Sequence, residues 1–225
     1  QTIGYRPSDT VFEKPFTDRT PDAGTSTASR QTLFTGEATR RAALDLKEAL
    51  DEAGGELAAL EGREFFGEFG PPTDPMGSPK DNPVSHIGYS YGCEVAIIDE
   101  KGKLEKMVGA YDLGTPINIQ AVEGQIEGGC VMSLGYALTE YFDNEGGIPN
   151  FKLGTYGLFR ANRVPEIETR IVRGPGYVDH AFGARGVGEL ACVPIAPAVA
   201  HAYYRLDGKM RKSLPMEDTF YRKAK

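Results

Sequence analysis

Two opposing patterns are superposed between Asn118 and Tyr141. Apolar residues stand at Ile119, Val122, Ile126, Cys130, Leu134, Leu138 and Tyr141. Intervals of three and four predict a helix with one continuous apolar stripe. The same span holds Gly124, Gly128, Gly129 and Gly135. Each interior glycine costs about 1 kcal/mol of helix propensity relative to alanine. Tertiary packing must offset that loss, so something must press closely on the glycine side. Another stretch of backbone or a bulky ligand would satisfy the requirement.

Glycine is in excess throughout, at 28 of 225 residues, against a usual share of roughly 7%. Fifteen prolines add to a loop-rich reading. A hydrophobic fraction of 40% and a charged fraction of 25% fit a soluble globular protein. The net charge of −7 argues against a nucleic-acid partner, which would need clustered Lys and Arg. No apolar run is long enough to span a membrane. Cys93, Cys130 and Cys192 are too few and too widely spaced for a disulfide framework, a zinc site or an iron–sulfur cluster. They fit a reducing cytoplasm. His86, His180 and His201 form no paired spacing, so no metal held by protein side chains is expected. The chain begins at Gln1 rather than Met, as a fragment or processed product would.

Residues 1–35 read as strand and loop. Within them, residues 22–29 are a run of small and hydroxyl side chains, which suits either a surface loop or close backbone approach to an anion. A helix is predicted from Glu37 to Ala53, ended by Gly54-Gly55. Five prolines between residues 71 and 83 mark an extended loop, either a linker or an insertion. Ser90–Asp99 and Leu104–Tyr111 read as a hairpin, and Thr155–Phe159 and Ile167–Arg173 as short strands. Gly183 to Glu189 is a glycine-rich loop. An apolar helical run from Leu190 to Leu206 follows, with Pro194 and Pro197 near its start. Glu189 is thus expected just before a helix N-terminus, as a held carboxylate or a plain surface one. The fold class expected is α+β, mixed sheets with packing helices. Two lobes, 1–70 and 84–225, are expected around the Pro-rich loop 71–83.

Three separated segments together resemble one family. They are Thr20-Pro-Asp-Ala-Gly-Thr-Ser-Thr-Ala-Ser-Arg-Gln-Thr32, residues 110–118 followed by 121–129, and Gly183-Ala-Arg-Gly-Val-Gly-Glu189. In that order they are similar to the C-terminal part of the molybdopterin-binding subunit of the xanthine dehydrogenase and aldehyde oxidase family. The similarity runs from about Thr10 to Glu217. Leu190-Ala191 stand where many members have Pro-Pro, and Arg185 where lysine is frequent.

The resemblance implies a part of an enzyme that hydroxylates an N-heterocycle, such as xanthine or a related purine, or an aldehyde, with water as oxygen source. Glu189 would be the general base, taking a proton from the attacking oxygen at a molybdenum centre whose sulfido ligand accepts hydride. Ser26, Ala28, Ser29, Arg30, Gln31, Thr32 and Gln125 would contact the pterin, and its dithiolene would hold the metal. An apolar setting from Leu190 to Ala200 would raise the base's pKa. The remaining part of the subunit, and 2Fe-2S and FAD domains or subunits, would be partners. The isolated chain would then be inactive. The alternative is a non-catalytic scaffold or interaction protein that keeps the fold.

Overall fold

The computed structural model describes residues 1–149, 152–174 and 179–223. It contains two compact units, Gln1–Gly88 with Tyr177–Arg185, and Tyr89–Gly176 with Gly186–Lys225. These boundaries differ from lobes at 70 and 84. The Pro-rich stretch lies inside the first unit, because beyond it Ile87 packs on that unit's buried Leu33, Ala181 and Ala184.

In the first unit, α1 spans Gln31–Glu52, starting six residues before the predicted Glu37. Arg30 stands at its N-cap with no side-chain cap. The helix instead grows out of a turn in which the Arg30 amide donates to the Thr27 carbonyl at 3.2 Å. No strand occurs before α1 among the described residues; Pro7–Asp9 form one 3-10 turn. Nearly all of residues 1–28 are exposed, so they have no partner surface on which a strand would gain.

Only Leu33, Glu37 and Ala49 of α1 are buried, which makes a carboxylate one of its anchors. Glu37 is 1% exposed. Its Oε2 accepts from Arg40 Nε at 2.7 Å and from the Ala181 amide at 2.8 Å. Its Oε1 accepts from Arg40 Nη2 at 2.9 Å and Arg41 Nε at 3.3 Å. Arg41 also donates to the Glu68 carbonyl at 2.8 Å and lies over the Phe69 ring. Gly67 presses against the backbone of Ala38 and Ala42, where no side chain fits.

In the second unit, β1 (Tyr91–Ile98), β2 (Leu104–Asp112) and β3 (Glu166–Ile171) form one mixed sheet in the order β1-β2-β3. The hairpin is antiparallel, matching Val95 with Val108, and β3 is parallel to β2, matching Met107 with Ile167. Asp99 closes the hairpin turn by accepting from the Lys101 and Lys103 amides at 2.8 Å each. A parallel pair needs a long crossover, and α2 (Ile119–Leu138) begins it. Asn118 caps α2, accepting from the Ala121 amide at 3.1 Å.

The predicted α2 stripe is buried from Val122 to Leu138, whereas Ile119 and Tyr141 at its ends are exposed. Residues Leu153–Tyr156 form a short helix, α3, where a strand is expected from Thr155. Left-handed Gly157 stops it against the Thr139 carbonyl. Helix α4 runs from Ile195 to Asp207 and buries Ile195, Val199 and Tyr203. With Leu104, Met107, Cys130, Leu134 and Leu138 these form the main core. The α+β class is as expected.

The Glu37 carboxyl is held down to about 2, from an ordinary 4.5, mainly by the Arg40 hydrogen bond, against the cost of burial. A depressed carboxylate stabilises the fold above its unfolded pKa and ceases to do so as pH falls through its folded one. Glu37→Gln should therefore be less stable than wild type above pH 4.5. The gap, on the order of 3 kcal/mol, should close as pH approaches 2. Denaturant midpoints measured across that range check this.

Candidate functional site

The glycine loop is built by what grips its main chain. Gly183 is left-handed at φ +80°, and Ala184 and Arg185 are buried. In the second unit, Ser90 Oγ donates to the Gly186 carbonyl at 2.9 Å, and Gln125 Nε2 donates to the Gly188 carbonyl at 3.0 Å. The Glu189 carbonyl accepts from the Cys192 amide at 3.0 Å, so the chain turns at once into the 3-10 turn Leu190–Cys192.

That turn is seated on α2. Ala191 is fully buried among Tyr111, Leu113, Val122 and Ile126. A methyl added at Gly129 would come 2.5 Å from the Ala191 Cβ and 3.2 Å from its carbonyl carbon. One turn further along, Ser133 Oγ donates to the Cys192 carbonyl at 2.9 Å. Backbone and side chain thus occupy the glycine side of the helix at Gly129, and the Glu140 side chain does so at Gly135. At Gly124 and Gly128 a methyl would meet nothing within 4 Å. The two kinds of glycine were indistinguishable in the sequence.

Glu189 departs from expectation in two respects. It stands at the N-cap of the 3-10 turn Leu190–Cys192, and α4 begins only six positions later. Its side chain is exposed rather than sunk in an apolar run, because Leu190 and Ala191 turn inward onto α2 and leave the glutamate outside. The neighbouring thiols are shielded. Burial pushes Cys130 up to about 12, and burial together with the Glu189 charge raises Cys192. Neither thiol is poised as a nucleophile. No cluster of metal-ligating side chains occurs among the described residues.

The structure brings Gln125 to the Glu189 loop, through Gly188. The other candidates lie in the first unit, where Ser26, Ala28 and Thr32 are exposed and Ser29, Arg30 and Gln31 are partly buried. Gln31 and Thr32 belong to the first turn of α1. Ala28 and Ser29 are both left-handed at φ 51°, a conformation that costs non-glycine residues of order 1 kcal/mol or more and collects at functional sites. Arg30 donates through Nη2 to the Ala23 carbonyl at 2.9 Å and lies over the Phe34 ring. Its buried Nε has no hydrogen-bond partner. Ser90 and Ser133 are the residues sequence reasoning missed. Neither carries a local signal, since each acts on main chain 59 residues or more away; the backbone expected on the glycine side of α2 is found at Gly129.

Residues 56–165 match the model of a molybdopterin cofactor-binding domain. Over 230 residues the chain is 30% identical to the aldehyde oxidoreductase of Megalodesulfovibrio gigas, covering 95% of this chain and 25% of that protein. It is 26% identical to a putative xanthine dehydrogenase molybdenum-binding subunit of Escherichia coli, covering 96% and 33%. The solved aldehyde oxidoreductase from Desulfovibrio gigas superimposes with a TM-score of 0.72 at 28% identity, over 98% of this chain and 25% of that one. The chain is similar to the molybdenum hydroxylases over nearly all of its own length. It spans between a quarter and a third of the length of these relatives.

The residues suit the cofactor of a molybdenum hydroxylase. In the first unit, Ala28 and Ser29 are left-handed and the buried Arg30 Nε has no hydrogen-bond partner; in the second, α2 is bare at Gly124 and Gly128. A stability comparison separates the glycines. Gly124→Ala and Gly128→Ala should each stabilise the chain by up to about 1 kcal/mol. Gly129→Ala should destabilise it by about 1–3 kcal/mol. Equal gains at all three positions in denaturant melts would contradict the seat described for Ala191.

Proposed function

We propose that this chain is the C-terminal part of a molybdopterin-binding subunit that hydroxylates an N-heterocycle or an aldehyde with water as oxygen source. Xanthine or a related purine is the first substrate to assay. Glu189 is the general base. It is an exposed carboxylate on a turn gripped by Gln125, Ser133 and Gly129, so it can receive a proton without reorganising its main chain. That arrangement is the observation that carries the reading.

Ser26, Ala28, Ser29, Arg30, Gln31 and Thr32 contact the pterin, and so does Gln125. The Gln125 amide NH2 already donates to Gly188, which leaves its carbonyl oxygen to accept from a ligand. The molybdenum cofactor held there would supply the two-electron oxidation, while Glu189 would take up the proton. Turnover requires the remaining part of the subunit, with 2Fe-2S and flavin domains or subunits as the electron path. No helix among the described residues is long and apolar enough to cross a membrane, and a cytoplasmic enzyme is our reading.

In the complete enzyme, Glu189→Gln should lower turnover by about 10²-fold or more while molybdenum content stays unchanged. Wild-type product formed in 18O-labelled water should carry the label. Near-normal turnover of Glu189→Gln would overturn the assignment of the base.

A further inference from the structure

Immediately upstream of the glutamate loop, Ala181, Phe182 and Gly183 are left-handed in succession, at φ 47°, 57° and 80°. Two of the three carry side chains, and each such residue is strained by of order 1–2 kcal/mol. Local hydrogen bonds from the Gly183 amide to the His180 carbonyl at 2.8 Å and from the Ala184 amide to the Ala181 carbonyl at 3.1 Å close the turn. They do not fix it to anything else. Glu37 does: it is the buried acceptor of the Ala181 amide at 2.8 Å. Its carboxylate is itself held by Arg40 and Arg41, with His180 Nδ1 3.7 Å away. Apolar contact completes the hold, since Leu33 packs with Ala181 and Ala184.

A glutamate on a short-range arginine pair is more than a helix needs. Arg40 and Arg41 would be satisfied by a solvent-exposed partner at the usual modest gain. Here the arginines stay partly exposed while the carboxylate between them is sunk onto one backbone amide, so the same group that stabilises the unit also fixes the position of the turn. Glu189 lies six residues beyond Gly183, a distance of at most about 20 Å of chain. Within it Ser90 holds Gly186 and Gln125 holds Gly188. The loop is therefore held at successive points, of which the Ala181 amide is the first.

We propose that Glu37 is a positioning residue for the Glu189 loop, acting through the Ala181 amide. The proposal rests on the reading of Glu189 as the base. In the complete molybdenum enzyme, Glu37→Leu keeps similar volume and removes the acceptor, whereas Glu37→Gln keeps an acceptor for the amide. Turnover is counted per bound molybdenum, and amide hydrogen exchange is followed at residues 181–186. Glu37→Leu should speed that exchange about tenfold or more and lower kcat by about 10- to 100-fold, the range that a displacement of about 1 Å produces, with KM within about twofold. Glu37→Gln should recover most of both losses. Should Glu37→Leu not fold, Glu37→Asp, which keeps the charge and shortens the reach, carries the same two expectations.

A kcat per molybdenum within twofold of wild type would overturn the proposal, whether or not the melting temperature falls. So would loss of cofactor from Glu37→Gln, which would assign the residue to cofactor retention instead. Glu189→Gln in the same assay separates the two ideas. If it turns over normally the base assignment fails, and the exchange data still report on the clamp.

Discussion

The contact on which the site depends is the close approach of Ala191 to Gly129. Main chain lies against helix only because no Cβ intervenes. The helix is placed by Cys130, Leu134 and Leu138, which share a core with Met107 of the sheet and Ile195 and Val199 of α4. The Leu190–Cys192 turn then takes its position from the helix, and Glu189 takes its position from the turn. Ser133 and Gln125 add directional bonds at either side. A chain of rigid contacts thus runs from the sheet to an exposed carboxylate, an arrangement in which a functional side chain is fixed by packing that it does not itself supply.

The first unit works differently. Its apolar anchors are few, and a buried carboxylate with two arginines does much of the holding. Its backbone is strained in two places: Ala28 and Ser29 before α1, and Ala181 to Gly183 before the glutamate loop. Strain persists only where surrounding structure over-determines it. Here the surroundings are Arg30 over Phe34 on one side and Glu37 on the other. Both strained segments adjoin residues that we assign to cofactor or catalysis.

Much of this was legible in the residues, and the exceptions have physical causes. The α2 stripe, the hairpin closed at Lys101-Gly102, and β3 were readable because period and turn chemistry are local properties. The resemblance was readable because three motifs keep their order. The start of α1 was hidden because Arg30 is no N-cap residue and the helix grows from a left-handed turn. The helix at Leu153–Tyr156 was misread as strand because Gly157 ends it through a contact with distant Thr139. The four glycines of α2 looked alike, since only the neighbours that folding brings decide which is seated and which is bare. Glu37 was named only as the start of the predicted helix, since its partner Ala181 is 144 residues away.

We propose that this chain holds a molybdopterin, with Gln125 beside the gripped Glu189 loop. Metal and pterin analysis of the protein purified from its native cells tests it most directly. The account predicts molybdenum and a pterin in equal amounts, close to one of each per chain. Well-folded protein from the same cells holding neither would contradict it.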